Sequence, residues 1–203
     1  MSDDKPYSAA CERNREPILG VLRTALRECR DVLEIGSGTG QHAVHFAAHM
    51  PWLNWHTSDR ADNLPGIRAW LADAALSNTP EPLQLDVAGD IWPVRTYDAA
   101  FSANTLHIMS WAEVERLFSG VAACLRTSGQ LAIYGPYNVG GRFTSDSNEA
   151  FDRALRAAVP HRGLRDIADV DALAAGHGLR LESDHTMPAN NRLRIWRRND
   201  TDN

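Results

Sequence analysis

The segment that most constrains this chain is Asp31-Val-Leu-Glu-Ile-Gly-Ser-Gly-Thr-Gly40, an apolar run that ends in a glycine-rich turn and leads into a helical stretch stopping before Pro51. Strand, tight loop and helix in that order open a βαβ unit. The same rhythm continues. Leu53 to Thr57 reads as a second strand, Ile67, Trp70, Leu71, Ala74 and Ala75 mark a helix face, and Pro80 to Val87 holds a third strand. Tyr97 to Ala103 is a fourth strand, Val114 to Leu125 a helix, and Gln130 to Tyr134 a fifth strand after the turn Thr127-Ser-Gly129. Such alternation builds a mainly parallel, doubly wound α/β sheet with helices on both faces. Ahead of it, Ile18, Leu19, Leu22, Ala25 and Leu26 recur at helical spacing behind Pro17, whose fixed φ suits a first helical turn.

The last third departs from this pattern. Helices near Asn148 to Val159 and Ile167 to Ala175 precede two strand-like runs, Leu179 to Thr186 and Arg192 to Arg197. A parallel crossover needs about a dozen residues or more, and Met187-Pro-Ala-Asn-Asn191 is too short for one, so these runs form an antiparallel hairpin.

Composition bounds the rest. A chain of 203 residues, 43% hydrophobic, is read as one globular domain over residues 1–203, without repeats or Ser/Gly linkers. A net charge of −5 supplies no field to gather phosphate backbones, so nucleic acid is not expected as a partner. No window reaches the roughly 18 to 20 apolar residues of a membrane span, and the N-terminus lacks a signal-peptide core, which reads as a cytoplasmic protein with no membrane partner. Cys11, Cys29 and Cys124 form no CxxC pair, which argues against a disulfide framework and a thiolate zinc site.

The glycine turn carries the first chemical signal. Counted from Gly36, the sixth position is Gln41, so the spacing is G-x-G-x-G rather than the G-x-G-x-x-G of dinucleotide binders. Small residues at a strand-to-helix turn let a flat, nucleoside-like ligand approach the backbone. With Glu34 inside the strand, Glu34-Ile-Gly36-Ser37-Gly38-Thr-Gly40 resembles the first motif of class I S-adenosylmethionine-dependent methyltransferases. Asp59 lies nineteen residues after Gly40, past the second strand, where a carboxylate can accept hydrogen bonds from both ribose hydroxyls. Asp86 and the Val87 amide follow the third strand, where they can meet the amino group and a ring nitrogen of adenine. Asn104 ends the fourth strand and can line the methionine arm. His107 is the candidate general base because its reference pKa is near neutrality; equally, between Leu106 and Ile108 it reads as a packed core residue.

Other constellations read as structural. His42, His45 and His49 share a helical face but would spread their Cα atoms over about 10 Å, so they are taken as a solvated face and no metal site is expected. In the long loop Gly135 to Ser147, Tyr137 and Asn138 are the substrate candidates, while Asp146 and Glu149 form a helix-capping box. Arg192, Arg194, Arg197 and Arg198 are read as guards of a terminal strand edge.

Over nearly its whole length the chain resembles domain-of-unknown-function family 938, whose eukaryotic members are called methyltransferase-like protein 26. The resemblance rests on Glu12-Arg-Asn-Arg-Glu-Pro-Ile18, Val32 to His42, Asn104 with His107-Ile108 and Trp111, Tyr134-Gly-Pro136, and Met187-Pro-Ala-Asn-Asn191. Where relatives commonly read Pro-Ser-Asp, this chain has Thr57-Ser58-Asp59, which keeps the acid. The resemblance implies a Rossmann-like sheet of order 3-2-1-4-5-7-6 with an antiparallel last strand, S-adenosylmethionine as cofactor, and in-line methyl transfer to a small-molecule acceptor. Arg13-Asn14-Arg15, ahead of the first helix, is expected to close over the site. Two other classes stand beside this reading. A nicotinamide oxidoreductase needs a pyrophosphate cradle that is not visible, and a module that binds S-adenosylmethionine, another nucleoside or a partner without turnover leaves the same motifs.

Overall fold

Asp31–Ile35 is buried along its whole length, as a central parallel strand must be when both faces of its sheet are covered. The computed structural model describes residues 5–89 and 91–199, so the ends of the expected 1–203 domain lie outside the described residues. Along the chain run α1 (Ala9–Ala25), β1 (Asp31–Ile35), α2 (Gln41–His49), β2 (Asn54–Asp59), α3 (Leu64–Ala74), β3 (Leu83–Gln84) and β4 (Tyr97–Ala103). They continue with α4 (Trp111–Cys124), β5 (Leu125–Asn138), α5 (Asp146–Ala158), β6 (Arg165–Asp166), α6 (Ile167–Gly176), β7 (Leu179–Met187) and β8 (Asn191–Arg198).

The strands form one sheet of order β3-β2-β1-β4-β5-β8-β7, with the two-residue β6 beside the end of β5. Without that short addition, the order is the expected 3-2-1-4-5-7-6. β1, β2, β3, β4 and β5 pair in parallel, and β8 runs antiparallel to both β5 and β7. Successive strand residues face opposite sides. Val32, Trp55, Phe101 and Leu193 therefore meet α1, α2 and α3, whereas Leu33, Ala100, Ile133 and Trp196 meet α4 and α6. Phe46 of α2 packs on Trp55 and Phe101 with ring centroids 5.3 and 5.5 Å away, a burial that contributes about 1.5–3 kcal/mol.

Four local expectations are corrected. α1 starts at Ala9, capped by the Ser8 side chain, and Pro17 lies inside it rather than at its first turn. Pro17 has no N–H for the Arg13 carbonyl four residues back, a local loss that the helix tolerates. α5 is capped by Ser145, which accepts from the Asn148 N–H; Glu149 pairs with Arg153 instead of closing a box with Asp146. β3 shrinks to Leu83–Gln84, while β5 runs on to Asn138. Finally, β8 is an inner strand, so its arginines guard no edge. Arg194 is 1% exposed and meets Asp171 and Asp184 at 2.9 and 3.3 Å, and Arg197 pairs with Glu182 at 2.8 Å.

Candidate functional site

The carboxyl ends of β1, β2, β4 and β5 open onto one cavity of about 1350 Å³. Small-molecule sites run to about 300–1,000 Å³, so this space takes more than one small ligand. It lies where the strand order reverses between β1 and β4, the usual ligand crevice of open α/β sheets.

Gly36, Ser37 and Gly38 line it, and two of the three are held at positive φ, +70° and +59°. A Cβ on Gly36 would stand 2.7 Å from Thr105 Cγ2, whereas one on Gly38 would meet nothing within 4 Å. Gly36 is thus demanded by packing, and Gly38 leaves open space beside the backbone. Gly40 does not line the cavity. It precedes α2 at φ +89°, and a Cβ there would lie 3.2 Å from Ile67 Cα, so its role is the close approach of α3. The turn spends four of its amides internally: Gly36 and Ser37 donate to Ser58 O, Gly38 to Asp59 Oδ2 at 2.7 Å, and Gly40 to Ser37 O, while the Thr39 N–H, at the cavity, has no acceptor among the described residues. A pyrophosphate cradle needs such N–H groups directed at the ligand.

Asp59 lines the cavity at the end of β2 while also pinning the turn. Its Oδ1 accepts from the Arg60 N–H and from Asn63 Nδ2, both at 2.8 Å. A carboxylate offers about four lone-pair sites, which leaves one beyond these three. Asp86 and Val87 line the same wall, with Asp86 Oδ1 accepting from the Ala88 N–H at 2.9 Å. Glu34 stands behind the turn and does not line the cavity. It is 2% exposed, accepts from Trp55 Nε1 at 3.0 Å, and burial pushes its carboxyl up to about 7 against the Trp55 and Ser37 hydrogen bonds, with Asp59 adding to the rise.

Asn104 lines the cavity from a left-handed backbone, φ +59°, its N–H on Tyr134 O at 2.8 Å. His107 lines it too. Its ring meets Phe151 edge to face at 5.2 Å, and among the described residues no group hydrogen-bonds either ring nitrogen. Burial first, then Arg165 and Arg162, lower the imidazole to about 4, so the ring is neutral at pH 7 rather than poised near it. Tyr137 and Asn138 are not on the cavity wall. Because β5 continues through Asn138, Tyr134 and Pro136 face the cavity and Tyr137 turns to the α4–α6 side, where it is 2% exposed with the Arg194 guanidinium 5.9 Å from its ring. Asn138 Oδ1 is likewise buried.

Of the Arg13-Asn14-Arg15 stretch expected at the site, Arg13 and Asn14 line the cavity, and they do so from within α1 rather than ahead of it; several further wall residues were not expected there. Asn14 on α1 accepts from His42 Nε2 at 2.7 Å, and both side chains are buried at the cavity, which corrects the reading of a solvated histidine face. His42 stacks on Phe46, and burial holds it near 4; of the three histidines His49 is exposed. Arg13 shares the roof. On the far side stand Asn148, Phe151 and Arg162, with Pro188, Ala189 and Asn191 from the β7–β8 turn. Ala189 and Asn190 are both left-handed, and Asn148 Nδ2 reaches Asn190 O at 3.3 Å.

Among the described residues, no group of three or more His, Cys, Asp or Glu side chains is placed to hold a metal ion. None of the described helices is long and apolar enough to cross a membrane. A second cavity, about 750 Å³, lies between α1 and β8, and charges on its wall are paired, Arg126 with Asp98 and Arg197 with Glu182.

The fold is similar to that of solved methyltransferases. The apo S-adenosylmethionine-dependent methyltransferase SibL superposes with a TM-score of 0.80 at 20% identity, over 94% of this chain and 56% of that one. An O-methyltransferase family protein from Burkholderia thailandensis gives 0.78 at 16% identity, over 95% and 58%. N,N-8-amino-8-demethyl-D-riboflavin dimethyltransferase (RosA) from Streptomyces davawensis gives 0.76 at 17%, over 93% and 54%. This chain thus spans little more than half the length of each, and the likeness establishes a Rossmann-like methyltransferase fold. Residues 5–198 are matched by the family described as protein of unknown function (DUF938), and the chain belongs to that family.

Proposed function

We propose that the cavity binds S-adenosylmethionine and that the chain is a methyltransferase acting on a small molecule. The observation that carries this reading is the turn at Gly38: a backbone at positive φ, open space where a side chain would project, and an N–H already held by Asp59. Such a turn leaves room beside a backbone whose Gly36, Ser37 and Gly38 N–H groups are already taken, which suits a nucleoside with a methionine arm better than a pyrophosphate. Gly36 to Gly38 and Asn104 would hold the methionine arm, the remaining lone pair of Asp59 the ribose, and Asp86 with Val87 the adenine. When bound, S-adenosylmethionine supplies a methyl group already activated on a sulfonium.

The residues of this chain then have two tasks. They align the acceptor, and they receive a proton when the acceptor atom carries one. His107 is the group for the second task, because its neutral ring lines the cavity with both nitrogens unclaimed by protein. The cavity volume supports a site that takes acceptor and cofactor together.

The test is transfer of a labelled methyl group from S-adenosylmethionine into a cell metabolite pool by the purified chain. Time-dependent labelling of a small molecule is expected. Tight cofactor binding with no labelled product in any fraction would favour a module that binds without turnover.

A further inference from the structure

Three arginines flank the connection from α5 to β6, and their surroundings differ. Arg156 Nε donates to Asp152 Oδ2 at 2.7 Å. Arg165 donates to the carbonyls of Leu106, Met109 and His161. Arg162 lines the cavity instead, and among the described residues its side chain has no ion pair or hydrogen bond; its Nε is buried without a partner. A buried, unpaired donor on a cation is costly unless something else satisfies it.

Of the charged residues that line the cavity, Asp59, Arg60, Asp62 and Asp86 follow β2 and β3, Arg13 comes from α1 and Glu113 from α4, while Arg162 stands by His107, close enough for its charge to bear on the imidazole. The wall beside them is apolar and uncovered: Phe151 is 40% and Ile108 42% exposed, and Phe151 packs on the His107 ring.

We propose that Arg162 receives an oxyanion of the methyl acceptor, a carboxylate or a phosphate, while the apolar body of that acceptor rests on Phe151 and Ile108. The proposal rests on the reading of the cavity as a methyltransferase site. A planar guanidinium fork suits two oxygens of one anion. Its neutralisation also removes the smaller of the two charge effects that lower His107, while burial, the largest cause, and Arg165 remain.

The test uses the full chain, with and without S-adenosylhomocysteine, and matched anionic and neutral probes: 4-hydroxybenzoate with 4-hydroxybenzamide, hexanoate with hexanamide, phenyl phosphate with phenol. In at least one pair the anion is expected to bind tenfold or more tightly than its neutral partner, the first two pairs reporting a carboxylate and the third a phosphate. Arg162→Gln should weaken that anion about 10- to 100-fold and leave the neutral probe and S-adenosylhomocysteine unaffected. Arg162→Lys, which keeps the charge without the fork, should fall between. The proposal is overturned if no anion is preferred, if the preference survives Arg162→Gln, or if it is lost only in Arg13→Gln. Failure of S-adenosylhomocysteine to bind would instead strike the cofactor reading, because the anion preference is measured separately without it.

Discussion

Glu34→Gln removes a charge that this fold accommodates poorly. The carboxyl is 2% exposed, accepts from Trp55 Nε1 at 3.0 Å, and is raised by burial from 4.5 to about 7. Because the folded carboxyl holds its proton more tightly than the unfolded one, protonation supports the fold fully below pH 4.5, and that support is lost as the pH rises through about 7. The gap between those values, at about 1.36 kcal/mol per pH unit, corresponds to about 3 kcal/mol lost by pH 8.5. Gln keeps the shape and an acceptor for Trp55 without ionising, and its added N–H costs about 1 kcal/mol or more if left unpaired. Urea denaturation at pH 5, 7 and 8.5 reads the difference. The variant should be slightly less stable than the parent at pH 5 and about 1–2 kcal/mol more stable at pH 8.5, with S-adenosylhomocysteine affinity unchanged because Glu34 is not on the cavity wall. A stability difference that stays flat across that range would refute the placement of a buried, proton-holding carboxyl behind the glycine turn.

Asp59→Ala should weaken S-adenosylhomocysteine binding by about 1.5–3 kcal/mol and by more than Asp86→Ala, because Asp59 also anchors the Gly38 amide. Calorimetry that ranks Asp86→Ala as the more damaging would reverse the two assignments. His107→Ala should lower turnover by about 10²- to 10⁴-fold with cofactor affinity held. A parallel fall in melting temperature, cofactor affinity and turnover would mark it as wall packing alone.

What the sequence made legible follows from where each side chain points. The run Val32 to Ile35 is apolar because both faces are covered, and the glycines after it are required by Thr105 and by Ile67, so strand, turn and helix all left a local trace. The first half of α1 left no apolar periodicity, since Cys11, Arg13 and Asn14 face the cavity rather than the apolar core, and Arg13-Asn14-Arg15 therefore reads as a stretch at the site but ahead of the helix. A polar helix face reads the same whether it meets water or a cavity, and His42 was misread for that reason. Tyr137 illustrates a different limit: glycine and proline at 135 and 136 suggest a loop, but antiparallel pairing with β8 from Gln130 to Pro136 carries β5 through them. The isolated partnerless arginine among neighbours with partners is likewise visible only when distant carbonyls and acids are in place.

The most direct measurement is calorimetric titration of the purified, ligand-free chain with S-adenosylhomocysteine, with a nicotinamide dinucleotide as the comparison, repeated on Gly38→Val. One equivalent of S-adenosylhomocysteine should bind and the dinucleotide should not. The valine, projecting into the open space at the turn, should abolish binding with the circular dichroism spectrum retained. No heat at millimolar S-adenosylhomocysteine, or an affinity untouched by the valine, would contradict the assignment of this turn as the cofactor site.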